Sequence, residues 1–292
     1  MAAPTTSGLK YSSKLSNQRV LILGGTSGIG FAVAEASLEA GLLVTISSSS
    51  SSKLSTALDR LRSSPAYVPS NLFAATSPSS PSLAGGGIPR LTGFTCDLSD
   101  PSSVEQSLKH LLDQSTLEGR HKFDHVVFTA GDALSLTPIS QITPQGYEKA
   151  AAVRFTAALI LAKLLSSPTY FTHSVCSSIT FTGGTNTEKP GPGWAVAAAV
   201  GGALEGLVRG LAVDLKPTRV NLVSPGAVRT ELFDSFTEKG EQLQRVLEGF
   251  KKRTLTGTVG RPEDVAEAYL YFMRDRFITG RVLATDGGRI LV

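Results

Sequence analysis

The stretch that decides the fold is RVLILGGTSGIGFAVAEASLEAG, residues 19–41. It begins with an apolar run suited to a buried strand, continues through a glycine-rich turn and ends in a segment with helical periodicity. Within the turn, Gly24, Gly28 and Gly30 have the spacing G-x-x-x-G-x-G. A strand, a glycine turn and a helix in this order predict the first unit of a parallel α/β fold.

The glycines of this turn predict a ligand as well as a fold. Gly24 permits a tight turn, Gly28 lets a pyrophosphate approach the backbone, and Gly30 lets the helix pack closely on the strand. The N-terminus of the helix adds free N–H groups and positive potential. We therefore expect a phosphate-bearing cofactor. A glycine-rich turn without a ligand is the alternative, but one glycine would suffice for a turn.

Apolar runs of strand type alternate with helical segments along the rest of the chain. This alternation predicts one α/β domain over residues 1–292, a Rossmann-like doubly wound fold with about seven parallel strands and helices on both faces. The predicted strands are 19–23, 42–46, 91–95, 125–129, 178–182, 219–223 and 282–285. The predicted helices are 29–40, 101–114, 145–166, 194–215 and 262–273.

One segment does not fit the alternation, and a second lies where substrate lids occur. Residues 63–89 are rich in Ser, Pro, Ala and Gly and are too long for an ordinary connection, so we expect a surface insertion. A functional lid is the alternative for the same residues. Residues 231–253 lie between the sixth strand and the last long helix, and we expect them to form a substrate lid.

Composition excludes several classes of function. With 292 residues, 41% hydrophobic and 18% charged, the chain can bury a sizeable core. Its two cysteines and four histidines lack metal-ligand spacing, so no metal is expected. The net charge of +4 is scattered, which argues against nucleic acid. Without a signal peptide or a long uninterrupted apolar run, we expect no membrane contact and a cytoplasmic location.

Three further motifs follow in order: CDLSD with Asp97 and Leu98, FTAGD with Ala130 and Gly131, and SPGAVRTEL with Pro225, Gly226, Val228 and Thr230. With the glycine turn, they resemble the short-chain dehydrogenase/reductase family from Ser16 to Val292. The resemblance implies that Asp97 holds the adenine amino group, that the backbone at Val228 binds the nicotinamide amide, and that Thr230 lies near the phosphates. It also implies cofactor contacts throughout the turn, at Gly24, Thr26, Ser27, Gly28, Ile29 and Gly30.

The end of the second strand predicts which nicotinamide cofactor is used. Enzymes of this kind that use NAD place an acid there, which binds the ribose 2′-OH and would repel a 2′-phosphate. In this chain the acid position holds Ser48, followed by Ser49, and Lys53 lies one turn into the next helix. Hydroxyl donors without a repelling carboxylate favour NADP(H) over NAD(H). The alternative is a solvated serine run.

The chain departs from the family at its catalytic residues. The family uses a Tyr and, four residues later, a Lys that helps to lower the Tyr pKa for proton exchange with the substrate. Here Ala197 and Gly201 stand at these two positions, and no Tyr-x-x-x-Lys occurs anywhere in the sequence. The family's Ser position falls at Gly183 or Gly184, and its Asn position at Arg154.

The loss of the proton donor decides which reactions are reasonable. Hydride delivery to a carbonyl creates an alkoxide that needs a proton, whereas delivery to an iminium ion gives a neutral amine. Another group could instead polarise the substrate, and the candidates are Arg154, Asp132, Glu188 and Lys189. Arg154 lies in an apolar stretch, where an arginine is costly unless it is paired or faces a ligand. The alternative for Arg154 is a salt bridge that supports the loop after the fifth strand. Asp132 could orient a cationic substrate, pair with Arg154 or cap local N–H groups, and Glu188 and Lys189 could be solvated loop charges.

Trp194 and Gly184 are predicted to line the substrate pocket, although a packing role for Trp194 is an equal alternative. The helix that follows Trp194 is rich in small residues, which predicts a homodimer or homotetramer. Tyr- and Lys-less relatives in the family occur in fungal secondary metabolism, where some reduce iminium intermediates or steer cyclisations. Two hypotheses follow for this chain: an atypical NADPH-dependent reductase of a small organic electrophile, or a non-redox protein that binds NADP(H) as a cyclase, scaffold or sensor.

Overall fold

The computed structural model describes residues 10–65, 67, 88–132, 136–231 and 241–292. Seven parallel strands form one sheet in the order β3-β2-β1-β4-β5-β6-β7, which confirms the predicted fold class. The strands are β1 (Arg19–Leu23), β2 (Leu43–Ser48), β3 (Leu91–Thr95), β4 (His125–Phe128), β5 (Ser178–Thr182), β6 (Arg219–Pro225) and β7 (Val282–Thr285). The order reverses between β1 and β4, where doubly wound sheets form their binding crevice.

Helices cover both faces of the sheet. They are α1 (Gly28–Glu39), α2 (Ser51–Ser63), α3 (Val104–Thr116), α4 (Pro144–Ala151), α5 (Ala158–Leu165), α6 (Ala195–Asp214), α7 (Glu241–Lys251) and α8 (Pro262–Arg274). One apolar core joins α1, α2 and α8 to the sheet, and a second joins α3, α5 and α6 to the opposite face. Strands β1, β4 and β6 are buried throughout, which fits the mainly apolar sequences of β1 and β4.

The helix predicted over residues 145–166 contains an irregularity. Between α4 and α5, residues Ala152–Ala157 form a π-helical turn, and Arg154 lies within it. Such turns are rare and frequently occur at functional sites. The alanine-rich sequence favours an ordinary α-helix, so the turn could not be predicted from local propensity.

Three buried arginines at the amino edge of the sheet donate hydrogen bonds to carbonyls at the C-terminal ends of helices. Arg19 opens β1 and donates to the Ser115 carbonyl at the end of α3, at 2.8 Å. Arg90 precedes β3 and donates to the Leu38 carbonyl near the end of α1. Arg219 opens β6 and donates to the carbonyls of α8 at Phe272 and, at 3.1 Å, at Met273. Each guanidinium thus meets carbonyls in the last turn of a helix, which carry partial negative charge.

The two irregular segments are described only in part. Helix α2 extends to Ser63, and residues 66 and 68–87 of the predicted insertion lie outside the described residues. The predicted lid contains α7, while residues 232–240 also lie outside them. The insertion and the lid therefore stay predictions.

Helix α6 is long and apolar enough, by length and composition, to cross a membrane. A helix in the core of a soluble protein can pass the same test. Helix α6 packs Val200, Leu204 and Val208 against the sheet, but only 22% of its most apolar window is buried. Its outer face is therefore available for contact with another surface.

Candidate nicotinamide-cofactor site

A cleft of about 920 Å³ opens at the carboxyl edge of the sheet, beside the point where the strand order reverses. Ligands of open α/β sheets bind in this position. All the predicted cofactor and pocket residues line this cleft: Gly24, Thr26, Ser27, Gly28, Ile29, Gly30, Ser48, Ser49, Asp97, Leu98, Ala130, Gly131, Pro225, Gly226, Val228, Thr230, Arg154, Asp132, Trp194 and Gly184. Their common location is what a shared ligand requires.

The glycine turn leaves no room for side chains at two positions. Gly24 has a φ of +86°, and a Cβ on it would stand 2.7 Å from the backbone nitrogen of Ala130. A Cβ on Gly30 would stand 2.2 Å from the Gly24 carbonyl oxygen. Neighbouring atoms therefore lie too close for a side chain at either position, and only glycine fits there.

The N-terminus of α1 holds an anion that belongs to the chain itself. The Gly28 N–H donates to Oε2 of Glu231 at 2.8 Å, and Oε1 of Glu231 lies 3.9 Å from the Arg60 guanidinium. Thr230 packs beside them, with its Cγ2 3.0 Å from where a Cβ on Gly28 would stand. A site that already takes a carboxylate fits the pyrophosphate of a dinucleotide.

The end of β2 presents hydroxyl groups to the cleft. Thr26 Oγ1 lies 3.4 Å from Ser48 Oγ, and the Ser50 N–H donates to the same hydroxyl at 3.3 Å. Lys53 lies in the first turn of α2 and also lines the cleft. This part of the cleft therefore offers hydroxyls and a cation, and the acid position holds a serine.

Asp97 and Cys96 follow β3 and line the cleft. Asp97 accepts the Ser99 N–H at 2.9 Å, and this bond lowers the pKa of the Asp97 carboxyl. Asp97 is therefore ionised at neutral pH and can accept a hydrogen bond from an amino group. Burial raises the pKa of the Cys96 thiol to about 12, so this cysteine is a neutral lining group.

The π turn brings Arg154 to Asp132. Arg154 Nη2 donates to the Asp132 carbonyl, and Nε lies 3.4 Å from Asp132 Oδ1. The guanidinium also covers Gly131, where a Cβ would stand 2.8 Å from Nη1. Burial lowers the pKa of Arg154, and the nearby Asp132 carboxylate opposes that shift. The salt bridge of Arg154 is thus formed with Asp132 at the end of β4, which was one of the options for Asp132, and both partners also line the cleft.

Ala197 and Gly201 line the cleft from α6, where the family resemblance places the Tyr and Lys. Gly201 packs against the loop after β5, because a Cβ on it would stand 2.1 Å from Thr187 Oγ1. A lysine at this position would have to displace Thr187. The loop therefore occupies the room that a larger side chain on α6 would need.

Arg289 ties this loop to the last turn of the described chain. Its Nη2 donates to Asn186 Oδ1 at 2.9 Å and to the Lys189 carbonyl at 3.0 Å. Lys189 Nζ in turn donates to the Arg289 carbonyl at 3.3 Å. Neither Lys189 nor the exposed Glu188 lines the cleft, so the structure does not place them as substrate-polarising groups.

The cleft residues that the sequence analysis did not identify include Arg60, Thr187 and Glu231. Arg60 follows Ser52 and Thr56 at intervals of four, and this helical spacing was a signal that could have found it. Glu231 and its partner Gly28 are 203 residues apart in the chain, and their contact had no local signal.

Comparison with known proteins agrees with this geometry. A family model for an SDR-like Rossmann domain matches residues 11–292. The chain belongs to the short-chain dehydrogenase/reductase family.

Relatives resemble it over nearly their full length. The chain is 41% identical to the short-chain dehydrogenase/reductase malC of Malbranchea aurantiaca, over 95% of this chain and 96% of that protein. It is 38% identical to the short-chain dehydrogenase/reductase fsr5 of Gibberella fujikuroi, over 97% and 98%. The solved structure of the MalC reductase/Diels-Alderase matches with a TM-score of 0.84 at 40% identity, covering 97% of this chain and 100% of that one. All three names describe reductases, which supports the assignment of this protein to the oxidoreductases.

Proposed function

We propose that this protein is an NADPH-dependent reductase of a small organic electrophile, of the iminium type or similarly activated. The observation that carries the proposal is a cleft that combines a dinucleotide cradle with Ala197 and Gly201 on α6. NADPH, when bound, supplies a hydride. The residues of the chain bind the cofactor, hold the substrate and exclude water.

The choice of NADP(H) rests on the charges in the cleft. Ser48 and Ser49 stand where an acid would repel the 2′-phosphate, and Lys53 adds positive charge in the first turn of α2. A 2′-phosphate is an acceptor-only group, so hydroxyl and ammonium donors suit it. The acids that line the cleft at described positions, Asp97, Asp132 and Glu231, lie on other elements.

The choice of substrate rests on proton balance. Hydride addition to C=N⁺ forms one C–H bond and moves the π electrons to nitrogen, which ends as a neutral amine. No proton enters, so neither a Tyr nor a Lys is required. A carbonyl substrate would need a proton or a strong donor as its oxygen gains charge.

Arg154 and Asp132 are the groups we assign to substrate orientation. The ion pair lies at the carboxyl end of β4, beside the glycine-lined wall that the cofactor would share. Asp132 has a side chain 39% exposed, which leaves carboxylate surface open to a cationic substrate. Arg154 holds Asp132 in place and keeps this part of the cleft polar.

The test is a matched pair of substrates. Purified protein and NADPH are mixed with a cyclic iminium compound and with the ketone of the same ring, and absorbance of the reduced nicotinamide is followed. Deuterium at C4 of NADPH shows whether hydride reaches carbon. We expect turnover and deuterium transfer with the iminium compound only. Equal turnover of the ketone, or none of either compound across a panel of ring sizes, would contradict the proposal.

A second candidate is a cyclase activity in the same cleft. The observation that favours it is the 41% identity to malC, whose solved structure is described as a reductase/Diels-Alderase. Trp194 lines the cleft and supplies a flat wall on which a folded substrate can stack. A diene and dienophile joined in one molecule, incubated with and without NADPH, separates the two activities. Cyclisation without nicotinamide oxidation would favour the cyclase.

A further inference from the structure

The contact between Glu231 and the N-terminus of α1 places a carboxylate where the proposed cofactor needs a phosphate. Oε2 accepts the Gly28 N–H at 2.8 Å, and the side chain of Glu231 is 59% exposed. A backbone N–H in this position serves one anion at a time. Glu231 and a pyrophosphate therefore compete for the same donor.

Arg60 is the cation that accompanies this carboxylate. Its guanidinium stacks on Phe31 with 4.0 Å between Cζ and the ring centroid, and it lies 3.9 Å from Glu231. The stacking fixes the arginine beside the first turn of α1 while leaving its side chain 53% exposed. The guanidinium therefore keeps donors open to an incoming anion when the carboxylate moves away.

We propose that the Glu231 carboxylate occupies the site of the cofactor pyrophosphate when no cofactor is bound. When the cofactor binds, Arg60 exchanges Glu231 for the pyrophosphate as its ionic partner. This inference rests on the proposed function. It adds a phosphate-binding residue on α2 and a residue that opposes binding, neither of which lies in the glycine turn.

The energies make such an exchange feasible. The pair is exposed and separated by 3.9 Å, a class of ion pair that contributes little to stability. A pyrophosphate carries more charge than one carboxylate and accepts bidentate hydrogen bonds from arginine. The carboxylate can therefore be displaced at small cost, and the guanidinium gains a stronger partner.

The test measures binding by calorimetric titration with NADPH and with NADH. Glu231→Ala removes the competitor, and we expect about two- to fivefold tighter binding of both cofactors. Arg60→Gln removes the cation, and we expect weaker binding of both by a similar factor. The pyrophosphate is common to the two cofactors, so the ratio of their affinities should not change.

Matched controls lie on the same helices. Glu39→Ala removes an exposed acid from the far end of α1, and Arg62→Gln removes an exposed arginine two residues after Arg60. If the control variants change cofactor affinity by equal factors, net charge alone explains the result and the inference is overturned. Unchanged affinity in Glu231→Ala, or an Arg60→Gln effect confined to NADPH, would also overturn it.

Failure of the proposed function gives a different result. If the unaltered protein binds neither cofactor, the proposal of an NADPH-dependent reductase fails, and the inference fails with it. If the unaltered protein binds NADPH and the Glu231 and Arg60 variants match it, only the inference fails. Far-ultraviolet circular dichroism of each variant confirms that the comparison is made on folded protein.

Discussion

Arg154 occupies the one π-helical turn found in the described residues, and it touches both Gly131 and Asp132. If the pair orients the substrate, Arg154→Ala and Asp132→Ala should each lower kcat/KM. The expected loss corresponds to about 1–3 kcal/mol of transition-state stabilisation. Steady-state kinetics with the iminium substrate provide the measurement. Lys163→Ala, which removes an exposed cation from α5, serves as the control. Full activity in both cleft variants would make the pair purely structural.

Ser48 carries the prediction on cofactor choice. Its hydroxyl faces Thr26 in the glycine turn, so an aspartate there would place a fixed charge beside the 2′-phosphate. Unaltered protein should bind NADPH several-fold more tightly than NADH, and Ser48→Asp should reverse that preference. Titration of both cofactors checks the change, with Ser63→Asp at the far end of α2 as the control. A preference unchanged by Ser48→Asp would place the 2′-phosphate elsewhere.

His125 makes stability depend on pH. It is fully buried between Ser178 and Gln18, and burial lowers its pKa to about 3, with repulsion from Arg219 as a smaller cause. The unfolded imidazole titrates near pH ~6.5, so below that pH the unfolded chain binds a proton that the native state does not. Stability therefore falls as pH drops from about 6.5 towards 3.

This dependence can be isolated by substitution. Between about pH 7 and pH 5, the His125 contribution should cost about 2 kcal/mol of unfolding free energy. His125→Gln should lose that part of the acid sensitivity in urea titrations at the two pH values. His110→Gln, at an exposed position, should retain it. If the unfolding free energy falls equally between the two pH values in the unaltered protein and in both variants, the native state accepts a proton on His125 without losing stability.

At the scale of elements, the arginines at the amino edge join helices to strands. Arg219 serves two carbonyls at the end of α8 and a third, at Val175, at 2.9 Å. Arg219→Met should destabilise the protein by about 2–4 kcal/mol, because it leaves buried carbonyls without donors. Chemical denaturation measures the loss, and Arg281→Met at an exposed position is the control. If Arg219→Met lowers the unfolding free energy less than Arg281→Met does, water takes over as the donor to these carbonyls.

The elements differ in how well the sequence predicts them. Strands β1, β3, β5 and β7 begin and end at the predicted residues, because a parallel strand that is bounded by turns is a short, distinct apolar run. The long helix was predicted without its π turn, since Ala and Leu favour α geometry throughout. The contact between Arg60 and Glu231 forms only after folding, and such a contact leaves no pattern in a single sequence.

At the scale of the whole molecule, the outer face of α6 predicts self-association. Gly202, Gly206 and Gly210 have nothing within 4 Å of where a Cβ would stand, and Val213 is 68% exposed beside them. Small residues let a second helix approach closely, and a two-fold axis would pair this face with itself. We therefore expect a homodimer or homotetramer at micromolar concentration.

Light scattering tests the assembly. Gly206→Arg places a long charged side chain on the outer face of α6 and should give monomers. Gly249→Arg, on α7 and equally open at its Cβ position, should leave the assembly unchanged. A monomer in the unaltered protein would contradict the prediction. Assembly that survives Gly206→Arg would place the contact on another face.

The π turn at Ala152–Ala157 also has a consequence for how the gene can change. A π turn is an α-helix that carries one extra residue, so an in-frame loss of one codon there still encodes an unbroken helix. Helices α4 and α5 would keep the faces they present now, because the π turn accommodates the extra residue without turning them. Residues inside the turn would change direction instead, and Arg154 would no longer face Asp132. Three nucleotides therefore separate this cleft from one without its guanidinium, in a chain that retains every other element of its fold.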